Sequence, residues 1–416
     1  MTRHTGSVSG FLVVAASCLA ACDGGTGSTA SVAAVGFSEP TLHDSTLTLD
    51  THVDIPFDFA TPAVDPRTAP LQVNLEKMRR GGLDAAFFIV YVGQTERTAE
   101  NYAAARRGAM TKLEAIRRMA NELYPDLIGL AHTPDDVERL ASEGKLAAAI
   151  GLENGYVIGR DLDLLDRYYA LGARYMTLVH NGHNDIADSA QPRAELGDAE
   201  REHGGVSEFG ARVIARMNDL GMMVDVSHAS KESALDAIRL SRAPVIASHS
   251  SMHALAGHPR NLDDETLLAL RDKGGIVQIV AFDIYLRYDP EAAAADAALR
   301  EEFGVYTAQD LAALPDEERI RFLRRAQENQ QRWPPSTVED LVDHIDHAVR
   351  VAGIDHVGIS SDFGGGGGII GWSDAEETPA VTRALEARGY TAEEIGKLWS
   401  GNFLRVWREV ERAARR

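Results

Sequence analysis

The stretch Leu47-Thr48-Leu49-Asp50-Thr51-His52-Val53-Asp54 alternates apolar and polar residues and ends in His-x-Asp. Side chains two apart on a strand point to the same side, so His52 and Asp54 can offer an imidazole nitrogen and a carboxylate oxygen to one ion. Further apolar runs lead into residues of the same kind: Glu153, His180, His228, His249 and Asp362. Both cysteines, Cys18 and Cys22, lie near the N terminus, so a metal site in the body must be built from His, Asp and Glu. That donor set suits zinc, and Mn²⁺ or Co²⁺ also fit. His52, Asp54, His228 and His249 suffice for two ions, and Glu153 has two oxygens with which to bridge them. A binuclear centre polarises a carbonyl and lowers the pKa of a bridging water, giving hydroxide near neutral pH. Asp362 is then free to act as general base and acid, and His180 to bond a developing oxyanion.

Positioning such a set requires many strand ends on one face. After the opening strand come apolar runs at Ala85–Val92, Leu146–Leu152, Arg174–Val179, Met222–Val226, Val245–Ser248, Ile276–Ala281 and Val357–Ser360. Amphipathic segments lie between most of them, at Thr98–Leu123, Leu162–Leu171, Val206–Leu220, Ser230–Leu240, Asp263–Lys273 and Val338–Ala352, with Ala392–Arg412 after the last strand. Eight alternating units predict an α/β fold, a (β/α)8 TIM barrel, with a doubly wound open sheet as the alternative. The candidate ligands favour the barrel, because each follows the carboxyl end of a run and a barrel brings those ends together. The charged insertion at about 282–335 follows the seventh strand and is expected to be a lid or a dimer contact.

Some residues invite plainer readings. Arg260 can pair with Asp263 and Asp264, and Asp362 can cap a turn. His183 is expected to be a bystander on a loop. His344 and His347, with Asp343 and Asp346, mimic a helical metal site by their spacing but are expected to form a solvated stripe. Gly364–Gly368 lacks the Lys-Ser/Thr of a phosphate loop and reads as a mobile loop beside Asp362.

The chain has 416 residues, 44% of them hydrophobic, and a formal charge of −20, which argues against nucleic acid as a partner. Arg3 precedes an apolar run, Phe11 to Ala16, too short to cross a bilayer. Leu19-Ala20-Ala21-Cys22 resembles a bacterial lipobox, with an ordinary signal peptide as the alternative. The expected organisation is a lipoprotein signal peptide at 1–21, a flexible tether at 22–40 with lipid on Cys22, and a catalytic domain at 41–416. The protein would then be anchored in the cell envelope, facing the periplasm or the exterior.

Asp50-Thr51-His52-Val53-Asp54-Ile55-Pro56, Gly151-Leu152-Glu153-Asn154-Gly155, Arg174-Tyr175-Met176-Thr177-Leu178-Val179-His180 and Val224-Asp225-Val226-Ser227-His228 together resemble the membrane (renal) dipeptidase family. Pro244 to Ser251, His258-Pro259-Arg260-Asn261 and Gly358 to Phe363 continue the resemblance in the same order, from about Thr46 to Phe403. It implies a dipeptidase with two zinc ions per chain, one held by His52, Asp54 and Glu153, the other by Glu153, His228 and His249. It further implies that His180 and Arg260 contact the substrate, that Asp362 handles the proton, and that the protein is a homodimer. Glu153-Asn154-Gly155 replaces the family's usual Glu-Gly-Gly, and Asp362-Phe363-Gly364-Gly365 its Asp-Phe-Asp-Gly, which alters the pocket rim but no ligand. The competing functions are hydrolysis of another amide, lactone, phosphoester or β-lactam, and a solute-binding lipoprotein without turnover.

Overall fold

The computed structural model describes residues 40–305 and 308–415; the lipobox, Cys22 and the tether up to residue 39 lie outside the described residues. The strands are β1 Leu49–Asp54, β2 Ala85–Tyr91, β3 Ile128–Leu130, β4 Leu146–Glu153, β5 Ala173–Thr177, β6 Met223–Asp225, β7 Val245–Ser250, β8 Ile276–Val280 and β9 Val357–Ser360. Eight of them pair in parallel in the order β1-β2-β4-β5-β6-β7-β8-β9, and the short β3 pairs with β4 outside that path. The amide of Asp54 donates to Phe363 O at 2.7 Å, and Val53 bridges Phe363 in parallel, which brings the end of β9 back to β1. The fold is a (β/α)8 barrel of the amidohydrolase type.

Alternation along the strands explains what fills it. On β4, Ala147, Ala149, Gly151 and Glu153 share one side, so small residues lead up to a carboxylate at the mouth. The register of β1 against β2 shifts between Asp50 and Val53. This bulge lets Leu49, which lies in the same apolar cluster as Phe87 and Ala147, share the barrel interior with His52 three residues on. The C-terminal helix Asn402–Ala413 supplies Phe403 and Trp407, whose rings lie 5.2 and 5.3 Å from that of Phe87. Tyr175 is 5.2 Å from the other side of that stack, and its hydroxyl reaches His52 at 3.0 Å. A column of aromatic rings thus runs from the plug to the mouth, fixing the height at which the first histidine stands.

The outer helices begin where the caps place them. Side chains of Thr98, Ser230, Asp263 and Thr337 accept the amide protons of Asn101, Ser233, Thr266 and Asp340 respectively. Short elements escape sequence periodicity: β3, the helices Pro134–Ser142 and Pro379–Arg388, and the small helix Leu75–Gly81. The insertion after β8 is largely helical, with Pro290–Phe303 and Asp316–Arg332 as its long members.

Two expectations need correcting. His344 and His347 are buried, not a solvated stripe. His344 accepts the amide proton of Met252 through Nδ1 and lies 3.1 Å from Leu286 O through Nε2, while His347 pairs with Asp264 at 2.7 Å. They weld the helix Val338–Ala352 to its neighbours. The glycine run beside Asp362 is also tied down: Gly364 N donates to Gln72, Gly367 N to Asp362 O and Gly368 N to Ala281 O.

Gly151 marks how tightly the interior is built, because a Cβ there would lie 2.6 Å from the Tyr175 hydroxyl. Gly151→Ala should therefore destabilise the fold by about 1–3 kcal/mol through overpacking. Chemical denaturation of the metal-free protein reads this directly; an unchanged midpoint would mean that the ring moves aside at no cost.

Candidate metal centre

The residues at the strand ends meet at the barrel mouth. His52 and Asp54 close β1, Glu153 closes β4, His180 follows β5, His228 follows β6, His249 lies on β7 and Asp362 follows β9. His52 Nε2 stands 3.4 Å from Asp54 Oδ2, 3.6 Å from Glu153 Oε2 and 3.9 Å from Asp362 Oδ1. The other oxygen of Glu153, Oε1, lies 3.0 Å from His228 Nε2, 3.5 Å from His249 Nε2 and 3.7 Å from His180 Nε2. One carboxylate thus turns its two oxygens toward two different sets of donors. His228 and Asp362 reach their places with φ of 67° and 58°, a region costly for residues with a Cβ, which is typical where backbone is bent to aim a functional side chain.

Hydrogen bonds on the far side of each ring fix its tautomer. The Tyr175 hydroxyl donates to Thr51 O, so toward His52 it accepts the Nδ1 proton. Ser248 Oγ donates to Asp225 Oδ2 at 2.6 Å, so it accepts from His249 Nδ1 at 2.8 Å. Asn181 Oδ1 accepts from His228 Nδ1 at 3.2 Å. His228 and His249 then present Nε2 lone pairs inward, and His52 does so once its Nε2 has given up its proton. His228 Nε2 and His249 Nε2 are 2.9 Å apart with no proton left between them, and His52 Nε2 has no hydrogen-bond partner. Buried lone pairs converging among carboxylates call for a cation, and this donor set fits a divalent metal. Three groupings satisfy the spacing of a site: His52, Glu153 and His249; Glu153, His180 and His228; and His52, Asp54 and Asp362. The geometry gathers all seven residues and leaves the partition of His180, His249 and Asp362 among these groups to chemistry.

The electrostatics agree. Burial holds His228 and His249 well below the ordinary histidine value, and brings His180 down to about 4, so these rings are neutral. Burial also pushes His52 down, but Glu153 and Asp54 together outweigh it and hold His52 well above its usual value. A proton and a metal ion compete for that nitrogen. Glu153, although buried, is held well below the carboxylate range, first of all by the charge on His52. Asp362 goes the other way, since burial drives it well above.

The mouth opens into a cavity of about 400 Å³ lined by Asp54, Glu153, His180, His228 and Asp362, together with Tyr91, Lys112, Asn181, Gln191, Phe282 and Tyr285. Arg260 is buried and does not line it; its guanidinium lies 5.2 Å from the Tyr285 ring and one Nη2–H reaches His249 O at 3.4 Å. Asp263 and Asp264 pair instead with Lys231 and His347. His183 is on a loop, as expected, and is bound to Ala199 O and the Ser189 amide. Sequence reading missed Tyr175, Asp225, Ser248 and Asn181, which orient ligands without touching the centre.

The profile of the family described as membrane dipeptidase (peptidase family M19) matches residues 38–416. The chain belongs to this family. As a member it is a metallo-dipeptidase, a metal-dependent hydrolase. Dipeptidase tcpJ of Claviceps purpurea is 32% identical over 361 residues, covering 84% of this chain and 73% of that protein. The probable dipeptidase PvdM from Pseudomonas aeruginosa superposes with a TM-score of 0.79 at 35% identity, over 90% of this chain and 97% of that one. A metallo peptidase from Rhodobacter sphaeroides, liganded with a phosphinate mimic of the dipeptide L-Ala-D-Ala, shares the fold at 22% identity, with a TM-score of 0.66 over 88% of this chain and 99% of its own.

Two results are expected for this dipeptidase. Ser248→Ala removes the acceptor that orients His249 and should weaken divalent-metal binding by about 10–100-fold, the usual effect of losing such a partner. It should also lower the stability of the metal-free protein by about 1–3 kcal/mol, because buried Asp225 loses a hydroxyl donor. Metal binding near pH 7 should also release protons, because the carboxylates keep His52 protonated in the metal-free protein and only the neutral ring can be a ligand. Titration calorimetry in buffers of different ionisation enthalpy measures both. Binding without proton release would contradict the charge assigned to His52.

Proposed function

We propose that the protein hydrolyses the peptide bond of dipeptides at a centre of two divalent ions, zinc being the best match to the donors. His52, Asp54 and Glu153 would hold one ion, and Glu153, His228 and His249 the other. The observation that carries this reading is the division of the Glu153 oxygens between His52 on one side and His228 with His249 on the other. When bound, such ions polarise the scissile carbonyl and acidify a water between them.

The chain's own residues supply the rest. Asp362 takes the proton of the attacking water and passes it to the departing amine, a poor leaving group until it is protonated. Burial that raises its pKa suits a carboxyl that must hold a proton near neutral pH. His180 is neutral; with Tyr91 OH 3.5 Å from its Nδ1, its Nε2–H is placed to donate to the carbonyl oxygen as negative charge builds there. Arg260 forms no ion pair among the described residues, and its Nε lacks a hydrogen-bond partner. It is assigned to the substrate's terminal carboxylate, reached past Tyr285. The geometry favours this over a solute binder, which has no need of a buried proton-carrying carboxyl beside the ligands.

The lipobox-like Leu19-Ala20-Ala21-Cys22 supports anchoring of the processed chain, 22–416, in the cell envelope through lipid on Cys22. Residues 22–40 would serve as tether and 41–416 as the catalytic domain, acting as a homodimer. No helix among the described residues is long and apolar enough to cross a membrane.

Asp362→Asn should keep both metals and bind dipeptide while kcat falls by about 10²–10⁴-fold. Retention of more than about a tenth of kcat in folded, metal-loaded protein would remove Asp362 from the proton path. Arg260→Met should raise KM, and amidated dipeptides should be poor substrates of the wild type; equal turnover of a dipeptide and its amide would exclude the role of Arg260. Cys22→Ala should abolish lipid labelling, and labelling that persists would exclude the anchor.

A further inference from the structure

The helix Ala99–Arg118 turns Ala105, Ala109, Lys112, Leu113 and Ile116 toward the barrel. Lys112 occupies a position in that stripe where the spacing demands an apolar residue, and it is only 4% exposed. Its ammonium lies 4.8 Å from the Phe57 ring centroid and 5.8 Å from that of Tyr91. Among the described residues it has no hydrogen bond and no ion pair. A buried ammonium whose near contacts are aromatic rings is a poor arrangement unless a negative group pairs with it directly.

The direction in which that group lies is set by the cavity. Lys112 lines the same cavity as Asp54, Glu153 and His180. Tyr91 neighbours both Lys112 and His180, its ring centroid 4.6 Å from that of His180 and 5.8 Å from the ammonium. Burial lowers the Lys112 pKa while Asp54 and Glu153 raise it, so those ligands are its charged surroundings. In the proposed centre their charge is already engaged by metal ions.

We propose that Lys112 sets the specificity of this site and that the preferred dipeptides carry a carboxylate side chain, Asp or Glu. The inference rests on the dipeptidase reading, in which Arg260 takes the single terminal carboxylate of the substrate. With that carboxylate assigned to Arg260, the buried ammonium that lines the cavity calls for a second carboxylate on the substrate. A neutral side chain leaves the ammonium unpaired, and a basic one is repelled.

The test is kcat/KM of the metal-loaded protein for dipeptides containing Asp or Glu at either position, each against its Asn or Gln isostere. The wild type should favour the acid over the amide by about tenfold or more at one of the two positions, the scale on which a buried polar group discriminates. The ratio should fall toward one in Lys112→Met and in Lys112→Gln, and survive in Lys112→Arg. Dissociation constants of phosphinate dipeptide mimics bearing Asp or Asn side chains should follow the same order without turnover. A ratio near one in the wild type, or one that both neutral variants leave unchanged, overturns the role of Lys112. Hydrolysis of neutral dipeptides alone would have that consequence and leave the dipeptidase reading standing. Failure to hydrolyse any dipeptide would instead overturn the dipeptidase reading itself.

Discussion

A buried carboxylate must be paired, and Glu153 meets that demand with a different partner set at each oxygen. Oε2 faces His52, and Oε1 faces His228, His249 and His180. The parallel barrel serves this need, since residues far apart in the chain arrive at one mouth from successive strand ends. The interior below is arranged to fix their height: Phe403 and Trp407 carry Phe87, Phe87 carries Tyr175, and Tyr175 holds His52. An error of packing at the bottom is therefore felt by a ligand at the top.

Beneath the ligands lies a layer of acceptors that determines which nitrogen of each ring carries the proton. Asp225 receives the amides of Ser227 and Ser248 and the hydroxyls of Thr177 and Ser248. It holds together the ends of β5, β6 and β7, and through Ser248 it orients His249. Asp50 does similar work at the seam, accepting from the amides of His52 and Ser361, and burial pushes its pKa up to about 6. Both carboxylates are structural in the sense that they touch no substrate, yet the lone pairs offered to a metal depend on them.

The candidate ligands were legible in the sequence because each follows an apolar run, so that residue type and position carried the same message. Tyr175 and Asp225 were hidden for the opposite reason. They lie within strands, where an aromatic ring or a buried acid has several explanations, and their partners Thr51 and Ser248 are distant in the chain. His344 and His347 misled because a spacing of three marks one helix face without saying what covers it; here Met252, Leu286 and Asp264 do. Lys112 is the sharpest case. A lysine in a long helix reads as solvent-facing, and only the cavity beside Tyr91 reveals otherwise. The strand β3 was lost to brevity, since three residues carry no period.

The proposed centre requires Glu153 to be shared between two ions, and the metal content of the protein measures that sharing most directly. Elemental analysis of wild-type protein saturated with zinc and freed of loose metal should give two ions per chain, with Glu153→Gln losing both together rather than one. A saturated wild type that holds a single ion per chain would contradict the shared carboxylate and with it the proposed centre.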